Sequence, residues 1–440
     1  MRLHTRGRLS LPVGVPRALP LGVSLAALAA LLTGLPVAAH ADAGVHPAAD
    51  PAADPGSAAT SPRAGAGPDY EMPFPCGDIW NGSSRYNHSP SALAIDWNRT
   101  HDDGAMVVAA APGVVTSTVD LGNRSYGRYV IVDHGGGQTS LYAHLSAFWS
   151  TVGEAVDQGT PLGLVGSTGG STGAHLHLEE RLNRVDQHAY FHRTSFLMGT
   201  TQASTNCGDV PLVGDWDGDG TSNVAVQRRA TAPRYYLRQP AHRNLRVPFG
   251  WRTDQPLSGD WDGDGRAEIG ARRPGLMSFV LRHRDGTETR VRLGRVSDVG
   301  VTGDWNGDRR TDLGVWNPST RVFTLRGANG HTRDVPFGSV GDRPVTGDWN
   351  GDGRTDLGVW SSGTATFTLR TQARSGAVTV RRVAFGSPGS LPVAGDWDGD
   401  GVGDLGVWNP ANAVFALRLS PTPARPSVVV QRRHWGTPRG

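Results

Sequence analysis

The sequence predicts a mainly β protein in two parts: an N-terminal antiparallel β-sheet domain followed by a five-repeat β-propeller-like domain. Three observations carry this expectation. Short apolar runs separated by glycine-rich turns fill residues 107–165. Helical periodicity is largely absent from that stretch. From about residue 209 the tripeptide Gly-Asp-Trp recurs at 214, 259, 303, 347 and 395, and a period of this size with about four strands per unit is the mark of propeller blades. A chain of 440 residues is also too long for one compact core.

Residues 1–41 read as a secretion signal. Arg2, Arg6, Arg8 and Arg17 precede an apolar run from Leu19 to Ala39, and both Ala39-His40-Ala41 and Ala41-Asp42-Ala43 offer small-residue cleavage sites. Gly, Ser, Thr and Pro interrupt the run, and no other stretch could span a bilayer. The expected product is a monomer, secreted and extracellular or cell-wall associated, with no membrane contact once the signal is removed and no nucleic-acid partner. Residues 42–69 form an Ala/Pro/Gly-rich linker with too little apolar content to fold.

The next segment, 70–208, is bracketed by the chain's two cysteines, Cys76 and Cys207. In an exported protein such a pair favours a disulfide. Closing so long a loop stabilises by about 4–5 kcal/mol in the loop-entropy model. Strands are expected over Val107–Ala111, Val114–Val119, Tyr129–Asp133, Thr139–Leu145 and Leu162–Val165. The most informative piece is His175-Leu176-His177, directly after the glycine-rich loop Gly166–Gly173. Side chains two apart on a strand share a face, so two imidazoles are aimed into one space. Histidine is both the usual zinc ligand and the usual proton carrier near neutral pH. Glu179 shares that face at its far end, and Glu180 lies on the opposite one. The glycine-rich loop is no P-loop, because no Gly-Lys-[Ser/Thr] follows; it reads as a flexible wall of a substrate groove.

Two further groups lie upstream: Asn87-His88-Ser89-Pro90 ahead of Ala94-Ile95-Asp96-Trp97, and Asp133-His134-Gly135-Gly136-Gly137 ahead of Tyr142-Ala143-His144-Leu145. With Gly166–Glu179 these motifs resemble the lysostaphin-type zinc endopeptidases, the staphylolysin and β-lytic branch above all. The resemblance implies that His88, Asp96 and His177 bind one catalytic Zn2+ and that His144 and His175 are the catalytic histidines. Many family members place the first ligand four residues before the Asp. Ala92 stands there in this chain, so His88, eight residues before, takes the role, with His101 as runner-up. Two imidazoles and a carboxylate leave a fourth zinc position open for water, whose pKa then falls to about 7. No His-Glu-x-x-His is present to supply a helix-borne base. Either His144 or His175 could take the water proton or stabilise the oxyanion.

Residues 209–440 hold the repeats. Each opens with Asp-Trp-[Asp/Asn]-Gly-Asp, carries a [Phe/Tyr]-x-Leu-Arg strand (residues 279–282 have Phe-Val-Leu-Arg) and closes on an aromatic or Leu followed by Gly. The opening loops place oxygen donors at alternate positions: Asp215, Asp217, Asp219 and Asn223; Asp260, Asp262, Asp264 and Glu268; Asp304, Asn306, Asp308 and Asp312; Asp348, Asn350, Asp352 and Asp356; Asp396, Asp398, Asp400 and Asp404. Oxygen-only donors converging on one centre suit Ca2+. An EF-hand is excluded, because its twelfth-position Glu is replaced by Val226, Ala271, Val315, Val359 and Val407. The unit resembles the calcium-binding FG-GAP or VCBS propeller repeats, which implies up to five structural Ca2+ ions. The third loop departs from the pattern, with Arg309 where the others have glycine. This region carries 31 Arg against 24 acids, which suits anionic wall polymers or glycans as partners.

Together these features predict a secreted zinc-dependent endopeptidase that hydrolyses peptide cross-links of bacterial peptidoglycan, with a repeat domain for wall or glycan targeting. The competing expectation is a non-catalytic cell-wall-binding or adhesion protein.

Overall fold

A computed structural model describes residues 68–84, 91–192, 194–230, 232–240, 242–421 and 425–437. The signal, nearly all of the linker and the candidate ligand His88 lie outside these residues. The described chain is almost wholly β, with one 3-10 turn, Pro274–Leu276, and none of its helices is long and apolar enough to cross a membrane.

The N-terminal part is built on one antiparallel sheet. Its strands are β1 (Ile79–Ser83), β2 (Ile95–Asn98), β3 (Gly113–Asp120), β4 (Arg128–Gly135), β5 (Gln138–Ala143), β6 (Ala155–Val156), β7 (Leu176–Leu182) and β8 (Thr200–Ala203). They lie in the order β8-β1-β2-β7-β5-β4-β3-β6. Alternation decides the faces. Ile95, Trp97, Leu176 and Leu178 point into an apolar core with Phe74, Trp80, Phe191 and Phe196. Asp96, His177 and Glu179 therefore point to the other face. Phe74 stacks on Trp80 at 3.8 Å between ring centres, and Phe196 lies against Trp97. A smaller sheet of Met106–Val108, Pro161–Leu164 and Ala147–Phe148 covers the same core. Cys76 and Cys207 are joined, Cα atoms 4.8 Å apart, tying the chain before β1 to the chain after β8.

Each repeat is a separate four-stranded antiparallel sheet in simple up-and-down order, beginning with Asp209–Gly214, Gln255–Gly259, Val299–Gly303, Asp342–Gly347 and Leu391–Gly395. These five inner strands contact one another in sequence, and the fifth also contacts the first. Between neighbouring sheets the apolar faces interdigitate: Trp316 and Phe323 of the third pack with Leu357 and Val359 of the fourth. The [Phe/Tyr]-x-Leu-Arg segments form the third strand of every sheet. The residues that rule out an EF-hand sit buried in the second strands.

The repeats also touch the N-terminal part. Arg343 pairs with Asp157 at 2.9 Å. Arg252 reaches both Asp78 and the Cys76 carbonyl. The Gly341 amide donates to the Gly153 carbonyl.

Candidate active site

Cross-strand register assembles the site. His177 of β7 lies directly opposite Asp96 of β2 on one side and Ala143 of β5 on the other. Residues 81 positions apart in sequence thus become neighbours, and His177 Nδ1 stands 3.1 Å from Asp96 Oδ1. His144 follows Ala143 immediately, just beyond the strand. Its backbone is left-handed, with φ of 61°, a conformation that is rare for a side-chain-bearing residue and concentrated at functional sites. The expected strand Thr139–Leu145 therefore ends two residues early, and this turn swings the His144 ring towards its partners. The His144 and His175 rings are 4.7 Å apart between centres, and those of His144 and His177 are 5.7 Å apart. His175 precedes β7 and is tied by a bridge to Gly166. Its Nε2 lies 3.5 Å from Asp96 Oδ1. Asp96, His144, His175 and His177 thus converge on one space.

The glycine-rich loop does more than line this space. The Nδ1–H of His144 donates to the Thr168 carbonyl at 2.8 Å. The Nδ1–H of His175 donates to the Gly173 carbonyl at 2.9 Å. Each bond leaves Nε2 with its lone pair outward. The loop is itself anchored: Thr168 Oγ1 donates to the Leu145 carbonyl and accepts from the Arg128 amide. The Gly169 and Gly170 amides donate to the carbonyls of Gly122 and Ser125. Gly169 has φ of 77°, and a Cβ there would stand 2.3 Å from Gly127 N and Ser125 O, so glycine is required. The expected flexible wall is, over 168–170, a fixed support for a catalytic-type histidine.

Burial sets the charge states. His144 is pushed down to about 4, by burial first and then by the charges of His175 and His177. It is neutral near pH 7, with Nε2 able to accept a proton. His177 is held above its ordinary value: burial opposes protonation, but Asp96 and Glu179 outweigh it. Its Nε2–H donates to Glu179 Oε1 at 2.8 Å. Burial also works against charge on Glu179, yet the hydrogen bonds from His177 and Tyr126 and the charge of Arg181 keep its carboxyl below its usual range. Tyr126 donates to the same Oε1 at 2.7 Å, and Arg181 pairs with Oε2. Glu179, expected on the His face at its far end, lies on that face and in contact with His177. Its even spacing from His177 on one strand was the available signal. Tyr126 and Arg181 left no comparable trace in the sequence. Glu180 faces away, as expected, and accepts from the Tyr190 amide.

This donor set fits a divalent metal. Nδ1 of His177 and the Asp96 carboxylate face one point, while Nε2 of His177 is held by a carboxylate, the usual outer partner of a metal-bound imidazole. His177 and Asp96 would hold zinc, together with a ligand from outside the described residues, the place of His88.

Residues 93–189 match the model of Peptidase family M23. This segment is a peptidase family M23 domain. It contains Asp96, His144, His175 and His177; His88 lies ahead of the match. Over 80 residues the chain is 49% identical to "DD-carboxypeptidase/endopeptidase Mpg" of Neisseria meningitidis serogroup B, covering 18% of each chain. It is 40% identical over 77 residues to "Peptidoglycan DD-endopeptidase ShyA" of Vibrio cholerae, covering 17% of each. The chain spans about a fifth of the length of the curated relatives it matches. Among solved structures, a putative M23 peptidase of Pseudomonas aeruginosa is similar at 31% identity and a TM-score of 0.24, over 29% of this chain and 50% of that one.

Beyond the M23 domain, the repeat loops divide into two kinds. In all five the first Asp turns inward and accepts loop amides, as Asp215 does from Gly218, Asp219 and Gly220 and Asp260, Asp304, Asp348 and Asp396 do likewise. Among the described residues, acidic oxygens gather within 4.8 Å in three loops: Asp215, Asp217 and Asp219; Asp260, Asp262 and Glu268; Asp396, Asp398 and Asp404. These are the loops with Asp at the third position. In the third loop the Asn306 amide instead donates to Asp308 and Asp312. In the fourth, Asn350 accepts from the Asp352 amide. Asp264 and Asp400 anchor the next turn through the Arg266 and Val402 amides, and Asp356 accepts from the Gln372 amide. Asn223 is buried. Arg309 adopts φ of 68°, the left-handed state that its glycine counterparts take freely.

Proposed function

We propose that the chain is a secreted zinc-dependent endopeptidase that hydrolyses peptide cross-links in bacterial peptidoglycan. The observation that carries this is the placement of two Nε2 lone pairs, on His144 and His175, beside the facing Nδ1 of His177 and carboxylate of Asp96. Zinc held at that point would acidify a bound water and polarise the scissile carbonyl. His144 and His175 supply the proton handling. Each ring is locked by a backbone carbonyl in the tautomer that accepts at Nε2, so each can take a proton from the attacking water and return it to the leaving amine. His175 Nε2 lies 3.5 Å from Asp96 Oδ1, so the proton-handling nitrogen stands beside the proposed metal position. The peptidoglycan relatives named above support the substrate class. Exhaustive chelation should abolish hydrolysis of cross-linked muropeptides and zinc should restore it. Retained hydrolysis by a His177→Ala chain would overturn the assignment.

In the same reading the repeats form a closed five-bladed ring that holds calcium and directs the enzyme to its wall. Contact between the first and fifth inner strands supports closure. Buried carboxylate oxygens without a hydrogen-bond partner on Asp217, Glu268, Asp352, Asp356 and Asp398 support the cation, since a buried charge left uncompensated is costly. Of the three loops that gather acidic oxygens, the fifth already pairs Asp398 with Arg425, so the first and second loops are the better calcium sites.

A further inference from the structure

Four guanidinium groups share one cleft of 330 Å³ between the third and fourth repeats: Arg333, Arg354, Arg370 and Arg374. Among the described residues none of the four forms an ion pair with a carboxylate. The second repeat differs: there Arg284 lies 3.7 Å from Asp264 and Arg290 lies 3.4 Å from Glu288. The single acid in the cleft lining, Asp356, is buried, with Oδ1 accepting from the Gln372 backbone amide and Oδ2 forming no hydrogen bond, so one carboxylate faces four guanidinium groups. Arg370 is half-buried, and burial, then the nearby charge of Arg333, holds it below its ordinary value.

Strand register shows that this arrangement recurs. Arg333 stands opposite Leu325 of the third repeat's Phe-Thr-Leu-Arg segment. At the same position of the fourth repeat, Arg381 stands opposite Leu369. Each outer-strand arginine faces the Leu-Arg arginine of the next repeat, Arg333 towards Arg370 and Arg381 towards Arg418. The first, second and fifth repeats place Leu245, Thr289 and Gln431 there instead. The cleft between the third and fourth repeats is therefore cationic, and the outer strand of the fourth repeat carries the equivalent arginine, which the other sheets lack.

We propose that this cleft, together with the equivalent position headed by Arg381 on the next repeat, binds a phosphodiester-linked cell-wall polymer. The choice of a wall polymer rests on the peptidoglycan reading above. Guanidinium forks match phosphate oxygens bidentately. A chain with regularly spaced charges can engage both positions, which multiplies weak contacts. Trp305 is the one Trp, Tyr or Phe in the cleft lining, beside the single imidazole of His331, whereas single-stranded nucleic acid binding relies on successive stacking platforms.

The test is co-sedimentation of the full chain with insoluble walls that carry a phosphodiester polymer, and with the same walls after acid removal of that polymer, at about 150 mM salt. The double variant Arg333→Gln/Arg381→Gln should bind intact walls about tenfold more weakly, as expected for lost charge-assisted hydrogen bonds. Stripping should cost the parent chain the same factor. Arg290→Gln/Arg292→Gln, an equal charge change on the second repeat, should leave binding intact. Parent binding that ignores stripping, an Arg333/Arg381 variant that binds normally, or equal capture by duplex DNA would each overturn the proposal. Hydrolysis of soluble cross-linked peptides, measured on the same samples, reports on the peptidase reading separately and should be unchanged in the variant.

Discussion

Glu179 Oε1 accepts the Nε2–H of His177 at 2.8 Å, and that bond decides which nitrogen of the ring faces Asp96. With Nε2 committed to Glu179, Nδ1 is the nitrogen left facing the Asp96 carboxylate, and it is this nitrogen that would bind a metal in place of its proton. Outer partners of this kind tune metal affinity, and losing one commonly costs 10–100-fold. Glu179→Gln should therefore weaken zinc binding by roughly that factor, read by competition against a chromophoric chelator. Tyr126→Phe removes one of the bonds that hold Glu179 in place and should have a smaller effect in the same direction. Unchanged zinc affinity in Glu179→Gln would show that the carboxylate is only a core partner.

A second expectation concerns proton transfer. His144 is held at about 4 by burial and by the neighbouring imidazole charges. Its folded-state value is depressed, so its neutral, base-competent form persists from high pH down to about 4. The acid limb of kcat/KM attributable to this residue should consequently lie well below the ordinary imidazole value of about 6.5. His144→Ala should lower kcat by roughly 10²–10⁴ while zinc content stays whole. Gly169→Ala should mimic part of this loss, because the added methyl collides with the 125–127 segment and displaces the carbonyl that aims the ring. An acid limb near 6.5 that disappears in His144→Ala would contradict the depressed value.

Much of this centre was legible because alternation is local. Parity alone puts His175, His177 and Glu179 on one face and Leu176 and Leu178 on the other. The meeting of His177 with Asp96 is a matter of register between distant strands, which no local pattern encodes; there the motif resemblance supplied what periodicity could not. The left-handed turn at His144 and the two histidine-anchoring carbonyls of the glycine-rich loop were invisible, since backbone carbonyls carry no residue identity. In the repeats, the third-position choice between Asp and Asn stood in plain sight. Its consequence, an amide that satisfies neighbouring carboxylates in the third loop, needed coordinates.

Calcium should follow that division. Equilibrium dialysis is expected to find tight sites in the first and second loops, lost in Asp217→Asn and Asp262→Asn respectively, and weaker ones elsewhere. The pH dependence has a definite sign. Burial, aided by neighbouring carboxylates, raises Asp312, Asp356 and Asp404 from 3.8 to about 6 in the metal-free chain. Between those values the folded form holds protons that the unfolded form has released, so metal-free stability falls as pH rises through this window. In the first and second loops burial likewise raises Asp217, Asp260 and Glu268, so calcium bound there competes with protons. Its stabilising effect, about 2.7 kcal/mol for one site at a hundredfold excess over Kd, should be full at neutral pH and fade as acid protonates those carboxylates. Melting curves that ignore calcium at pH 7 would remove the ion from the repeats.

The strands that bring the first and fifth repeats together are spliced by the chain's C-terminal segment. At three of the four junctions between consecutive repeats an Asp accepts the amide three residues before it, Asp254 from Trp251, Asp298 from Arg295 and Asp342 from Ser339; at the fourth, Ser390 takes the place of the Asp and bonds Ser387. At Asp209, which opens the first repeat, the residue three places upstream, Asn206, gives its amide to Ser204 Oγ; Asp209 accepts instead from the Thr437 amide, 228 positions away. Arg228 pairs with the same carboxylate, and Trp435 Nε1–H donates to the Tyr236 carbonyl. A non-covalent contact thus repeats what elsewhere joins covalently linked neighbours. Removing residues 435–440 should take away these bonds and the Trp435 contact with the Trp408 cluster, destabilising the repeats by about 2–4 kcal/mol. Asp209→Ala should cost about 1–3 kcal/mol through the unpaired amide and Arg228. Calorimetry on the full chain resolves the effect, and hydrogen exchange should rise first in the first and fifth sheets. If exchange instead rises evenly through all five, the splice holds nothing together.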